Sequence, residues 1–465
     1  MSGEPGAAAR AAAALRQPRR SAGLKLLLVC VLAVLMSIPA LFVFLLLNDR
    51  THRAEEVTRE ISAVVGGPQT FLGPVVAVPY AIPAADPKQA PERDVFVIFP
   101  ITGEAQVDAK SEVRRRSLFK VPVYQADLAF KAHFDLTGSA ARAPVGAALD
   151  WSRAELVAAA SDARGARSDI TLTAAGRTLP VAPAATFSQI ALKGDDNSPS
   201  PAGLTFFGAP AAEVVRPDAV FDATARMRFS GAQRLAVLAF AKTTTVSARS
   251  DWANPSFDGG FLPDPGRRTI GPQGFTAAWS VPFIARGVPA QGASETLGRL
   301  GQTAMGVSFV EPANPYRSVA RSLKYALMFV SLVFLAYFLF ETLSGKRVHP
   351  AQYLLVGLAQ VIFYLLLLSI AERIGFDGGF AVAAVATVGL ISAYAGWVFE
   401  RWKQGIIALI AFSLLYALIY VLMRLEDFAL LVGAVTSFAA VAAVMYFTRR
   451  IDWYGSRDPA AAPDL

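Results

Sequence analysis

Phe338–Leu358 reads "FLFETLSGKRVHPAQYLLVGL", which sets a Glu, a Lys, an Arg and one of three histidines between two apolar runs. Charges inside a bilayer mark ion or proton paths, whereas charges between two spans form a turn. The flanking lengths decide between these. Leu323–Leu343 and Gln352–Ile370 each approach the roughly 20 residues that cross a hydrocarbon core, which leaves Lys346, Arg347 and His349 on a short polar hairpin. Pro350 suits the first turn of the next helix, where its missing N–H costs nothing. Glu341 falls in the last turn of the preceding helix, with Lys346 or Arg347 as its expected partner. The stretch is a charged turn, and the chain is read as a membrane protein.

Four further runs have the same character: Leu24–Leu47, Gly379–Phe399, Gly405–Met423 and Phe428–Phe447. They explain a composition that is 54% hydrophobic and 17% charged, against about 25% charged in soluble proteins. Leu24–Leu47 is too long for a signal h-region and lacks a small-residue cleavage site, so it reads as a retained anchor. The only cysteine, Cys30, lies within it, so no intrachain disulfide forms.

Lys and Arg orient the spans. Arg10, Arg16, Arg19 and Arg20, then Lys346 and Arg347, Arg401 and Lys403, and Arg449, Arg450 and Arg457 fall on one side, while the opposite short turns carry Arg373 and Arg424. Both termini are therefore expected in the cytoplasm, with Asn48–Ser322 outside. That outer segment is nearly neutral, so the net charge of +8 describes membrane anchoring, and no nucleic-acid surface is expected.

Val57, Ile61 and Val64 continue the first helix beyond the membrane to a stop at Gly66-Gly67. Period two then dominates. Leu128, Phe130, Ala132, Phe134 and Leu136 form one alternating set, Phe221 to Phe229 a second and Phe275 to Val281 a third, the pattern of an antiparallel sheet wet on one face. Ala81–Asp94 and Leu192–Leu204 read as linkers, compatible with two lobes or one sandwich. Short helices are expected at "DWSRAELVAAA" and "SETLGRLGQTA".

No reaction is legible. His52, His133 and His349 are scattered, and serine-elbow, Walker and zinc-protease motifs are absent. Glu341, Glu372, Arg373, Glu400 and Arg424 stand at span ends. Gln360, Tyr364, Tyr416 and Tyr420 are polar positions within spans, read as helix packing ahead of a small-molecule or lipid groove. The candidate functional surface is "SDWANPSFDGGFLP", Ser250–Pro263, expected to leave the sheet as a loop. Trp252, Phe257 and Phe261 are its candidate partner-binding residues, and burial of the same rings as a cap on the sandwich is the competing reading. Asp162 and Arg164 in "SDARG" are weighed likewise, as a recognition pair or a structural turn.

"YRSVARSLKYALMFVSLVFLAYFLFETLSGKRVHPAQYLLVGLAQVIFYLLLLSIAERIGF" resembles the inner membrane protein CreD family of Gram-negative bacteria. Lys324, Tyr325, Glu341, His349, Pro350, Gln352, Tyr353 and Glu372 fit the family's Arg-x-x-Lys-Tyr, Phe-Glu, His-Pro-x-Gln-Tyr and Leu-Ser-x-x-Glu pattern. "GPVVAVPY", "SDARG", "WANPSFDGGFLP" and "GFTAAW" extend the resemblance over about Arg53 to Phe447. It implies one N-terminal span, a large periplasmic domain and a multi-span block. It also implies an envelope-integrity role linked to a two-component envelope-stress regulator and to colicin-tolerance or β-lactam-response phenotypes. It carries over no catalytic residues.

The expectation is thus an integral membrane α-helical protein of the inner membrane, with six transmembrane helices and a large periplasmic, mainly antiparallel β (α+β) domain. Residues 1–23 and 448–465 form cytoplasmic tails, the first disordered. Spans fall at 24–47, 323–343, 352–370, 379–399, 405–423 and 428–447, with 48–322 as the outer domain. The expected function is non-enzymatic and free of cofactors. The partners are the lipid bilayer and a periplasmic envelope component or protein. A transporter or lipid-handling protein is the alternative, and a membrane-tethered envelope hydrolase stands third.

Overall fold

The computed structural model describes residues 22–84, 86, 88–116, 119–188, 203–310, 315–344, 348–424 and 429–449. Most of the expected tails, most of the Leu192–Leu204 linker, and Lys346 and Arg347 lie outside the described residues. Two compact units emerge, Ala54–Pro312 and a second made of Met1–Arg53 with Ala313–Leu465.

The first unit holds two sheets. One runs Pro255–Gly259, Met305–Phe309, Arg234–Val237, Gln69–Ile82, Glu155–Ala160, Thr205–Pro210, Ala182–Pro183, with Glu92–Ile98 and two short strands attached off this path. The other runs Arg268–Gly271, Gly274–Val281, Thr243–Ser250, Thr102–Arg116, Phe119–Asp135, Val220–Ala232, Thr171–Ala174, Arg177–Leu179. Period two builds this second sheet. Ala105 faces Phe130 and Val107 faces Leu128 on the inner side, while Glu104 faces Lys131 on the outer. Phe71 meets Phe229 at 5.3 Å and Tyr124 stacks on Phe309 at 4.9 Å, so both sheets close on one core.

Strand pairing among the described residues is mainly antiparallel, as expected, with two parallel exceptions. Gln69–Phe71 pairs parallel with Leu235–Val237, and Thr243–Ser250 pairs parallel with Thr102–Ala109. Alternation reports a half-buried strand and carries no information on its direction. "DWSRAELVAAA" departs from expectation: Trp151–Arg153 is a single 3-10 turn and Glu155–Ala160 a strand buried throughout. A short apolar run buried on both faces has no periodicity to separate strand from helix. "SETLGRLGQTA" does form a helix at Glu295–Arg299, followed by a 3-10 turn.

The first helical stretch is Ala22–Leu35 followed by Ser37–Val65, with Met36 between them and helical hydrogen bonds from Met36 N–H to Leu32 and from Ala40 N–H to Met36 carrying it through. Pro39, four residues after Leu35, lacks the N–H that would donate to the Leu35 carbonyl, which interrupts the ladder at that one point. Among the described residues, three helices are long and apolar enough to cross a membrane, Gly23–Val65, Pro350–Val398 and Trp402–Arg424. Tyr316–Lys324 and Ala326–Thr342, bent by 54° at Tyr325, make a fourth if counted as one.

Pro350–Val398 is not one rod. Gly375 adopts φ 82°, ψ 168°, a region open to glycine and hardly to any other residue. The rings of Phe363 and Phe380 lie 5.5 Å apart, whereas seventeen residues of straight helix span about 26 Å. The element is therefore a hairpin folded at Gly375. Gly379 permits the close return, because a Cβ there would sit 2.7 Å from the Ala371 nitrogen. Gly379→Leu is expected to push the two limbs apart and lower the melting temperature of the purified chain by several degrees. An unchanged melting curve would contradict this packing.

Candidate functional site

The outer face of the eight-stranded sheet carries a groove of about 860 Å³. Its floor is a row of charges set by strand register. Asp108 lies opposite Asp127, Arg249 opposite Asp108 and Arg228 opposite Asp127. Like charges facing each other across strands are unfavourable, and the two flanking arginines offset this. Arg228 donates to Asp127 at 2.5 Å and Arg249 donates to Asp108. Both guanidinium groups are held above their ordinary pKa by these hydrogen bonds. Arg226 is exposed on the same face and has no side-chain partner among the described residues. Arg267 stands at the groove, 4.0 Å from Asp264, and Gln106, Ser247 and Thr276 supply neutral polar groups. The charged lining is four arginines, Arg226, Arg228, Arg249 and Arg267, against three aspartates, Asp108, Asp127 and Asp169, a surface with one arginine in excess.

The aromatic stretch lies elsewhere. Pro255–Gly259 is the edge strand of the ten-stranded sheet, paired with Met305–Phe309, and not the expected loop. Alternating side chains let it pair on one side although Asn254-Pro255 and Gly259-Gly260 read as turn residues. Trp252 is half-buried against Phe309 at 6.0 Å, with its indole N–H donating to the Asn254 carbonyl. Phe257 packs edge-on to Phe275 at 5.6 Å and Trp279 at 5.8 Å, with Arg268 over its ring. Phe261 also packs against the core.

The "SDARG" turn closes on itself. Asp162 caps the turn by accepting from the Arg164 N–H, and the Arg164 guanidinium folds back onto the same carboxylate at 2.6 Å. The hydrogen bond from Arg164 holds the Asp162 carboxyl below the usual range. Gln69 clamps this turn to the helix stop. Fully buried, it donates to the carbonyls of Gly66 and Asp162 and accepts from Ser161 and the Asp162 N–H. Nothing in the sequence around Gln69 signals the clamp.

In the helical unit the signature residues assemble. Glu341 is buried and accepts from the Tyr353 hydroxyl at 2.8 Å and the Val348 N–H at 2.9 Å. Its charge is met by Lys25, which also donates to the Val348 carbonyl. Lys25 on the first helix is thus a partner of this carboxylate that the sequence reading missed, while the expected partners Lys346 and Arg347 lie outside the described residues. The single Lys in "GLKLLLVC" was the available signal. His349 and Gln352 form a reciprocal cap on the next helix, Nδ1 accepting from the Ala351 N–H and Oε1 from the His349 N–H, with Pro350 in its first turn.

Glu372 accepts from the Tyr316 hydroxyl at 3.0 Å. Asp377 accepts from Arg424 and from Tyr420. Lys324 and Tyr325 mark the 54° bend. Among the described residues no group of three or more His, Cys, Asp or Glu stands where it could hold a metal ion.

These features define a helical membrane protein carrying a large mixed β domain. The chain belongs to the CreD family: the family description "Inner membrane protein CreD" matches residues 21–454. It is similar to Inner membrane protein CreD of Escherichia coli (strain K12), 29% identical over 434 residues, which cover 90% of this chain and 91% of that protein.

Proposed function

We propose that the chain is a non-enzymatic, envelope-integrity protein of the inner membrane whose β unit, in the periplasm, binds an envelope component or protein partner. The observation that carries this reading is the arginine-rich groove on the eight-stranded sheet. A rigid sheet presenting fixed donors is suited to holding a polar ligand with little loss of side-chain freedom. The Trp252, Phe257 and Phe261 edge and the Asp162–Arg164 turn are proposed as further contact surfaces.

The proposed topology has six spans with both termini in the cytoplasm. Two features support it. The hairpin at Gly375 turns one 49-residue element into two limbs of spanning length. Polar contacts also sort into two groups, with Lys25, Glu341, Val348 and Tyr353 in one and Tyr316, Glu372, Asp377 and Arg424 in the other. Tyr353 and Glu372 are separated by about 28 Å of helix, close to the hydrocarbon thickness of about 30 Å.

A photocrosslinking residue at Arg226 in living cells is expected to capture one discrete envelope adduct that weakens several-fold in an Arg228→Glu background. The same adducts formed equally from exposed Lys88, away from the groove, would contradict the groove as the binding surface. Trp252→Ala with Phe257→Ala tests the edge. Lost envelope function with an unchanged melting temperature supports a contact role. A melting temperature lower by several degrees assigns both rings to the core.

A further inference from the structure

The helix that leads into the 54° bend at Tyr325 is basic on one side and packed on the other. Its sequence, "PYRSVARSLK", holds three cations and no carboxylate. Arg317, Arg321 and Lys324 recur at i, i+4 and i+7, so they form one stripe. On the packed side Tyr316, Val319 and Ser322 are buried, and the Tyr316 hydroxyl engages Glu372. Arg317 and Lys324 are exposed, and neither has a side-chain partner among the described residues. A short helix with a basic face, set off by a bend from an apolar helix, matches an interfacial segment that lies among lipid headgroups.

Beside the stripe, the helical unit leaves an apolar cleft of about 260 Å³. Two helix faces form it. Ser37, Ala40, Leu41 and Phe44 stand at i, i+3, i+4 and i+7 on Ser37–Val65. Ala320, Leu323, Lys324 and Leu327 repeat that spacing across the bend. Lys324 therefore belongs both to the cleft face and to the basic stripe. Leu41, Phe44 and Leu327 remain exposed, so the cleft opens outward. Its size selects the occupant. Over residues 37–44 the helix rises about 10 Å, and a second helix of about 10 Å diameter seated along that length needs roughly 800 Å³. The cleft offers about a third of that, which suits one extended hydrocarbon chain. In a membrane that chain is an acyl tail, and a lipid phosphate is the charge that complements Lys324 and Arg317.

We propose that this cleft binds one anionic glycerophospholipid, with an acyl chain between residues 37–44 and 323–327 and the headgroup along the basic stripe, its phosphate on Lys324. The site stands independently of the groove on the eight-stranded sheet. It also gives the signature residue Lys324 a ligand.

The test is photocrosslinking of the purified full chain in phosphatidylcholine nanodiscs doped with phosphatidylglycerol that carries a diazirine midway along one acyl chain. Phosphatidylcholine bearing the same group is the matched zwitterionic probe, and adducts are mapped by peptide mass spectrometry. The phosphatidylglycerol probe is expected to mark residues 37–44 and 323–327 at least about fivefold more than the zwitterionic probe does. Both probes are expected to mark Val385 and Leu390, exposed and away from the cleft, equally. Arg317→Gln with Lys324→Gln, both at the surface, is expected to erase the preference without moving the melting temperature. Ala40→Phe, which fills the cleft, is expected to remove the adducts of both probes there. If Ala40→Phe fails to fold, the double variant decides. Equal marking of the cleft by the two probes, or a preference unaltered in the double variant, would overturn the proposal. Cleft residues free of adducts would also overturn it and point to a second copy of the chain as the occupant.

Discussion

Glu341→Ala is expected to destabilise the helical unit by about 3 kcal/mol, the lower end of the cost of breaking a buried pair. Among the described residues the carboxylate accepts from the Lys25 ammonium, the Tyr353 hydroxyl and the Val348 N–H. Removing it leaves a cation packed among helices and two polar groups unpaired. The low end applies because the Lys25 side chain keeps 26% of its exposure. The check is thermal unfolding of the purified chain in detergent, with Lys25→Met added to Glu341→Ala. Removing both charges is expected to recover at least half of the loss, since the penalty lies in the orphaned ammonium. Strictly additive losses would mean that the two residues do not act as a pair.

Gln69→Leu is expected to lower the stability of the β unit by roughly 3 kcal/mol. All the hydrogen-bonding capacity of its carboxamide is engaged, on Gly66, Ser161 and Asp162. Leucine would leave the Gly66 carbonyl and the Asp162 N–H without these partners and the Asp162 carbonyl with the Gly165 N–H alone. Gly165 shows how tight the site is, because a Cβ on it would lie 2.6 Å from the Gln69 amide nitrogen. For a unit of this size the loss corresponds to roughly 6–12 °C in melting temperature. Near-ultraviolet circular dichroism of the full chain reads it. A shift below about 2 °C would show that the clamp is dispensable.

The sequence exposes those features that follow from one element's own pattern. Helix continuation to the Gly66-Gly67 stop and the alternating strands through Phe130, Ala225 and Ala277 are visible because burial on one face writes a period into the chain. The strand at Glu155–Ala160 is hidden because both of its faces are buried. The edge strand at Pro255–Gly259 is hidden because pairing on one side tolerates turn residues. The CreD signature positions are legible as a motif, yet their physics requires Lys25, 316 residues away from Glu341. Gln69 is invisible for the same reason: only the tertiary fold reveals whether a polar side chain ends buried with or without a partner.

The most direct measurement of the account is cysteine accessibility in cells, in a chain whose one native cysteine, Cys30, is replaced by serine. Single cysteines at Ser256, at Arg373 beside the Gly375 hairpin and at Gly345 are treated with a membrane-impermeant maleimide from the periplasm. Six spans with both termini inside predict labelling at positions 256 and 373 and none at 345 until the cells are opened. Labelling at 345 alone would reverse the orientation. An unlabelled 373 beside a labelled 256 would show that Pro350–Val398 does not reach the periplasm as two spans.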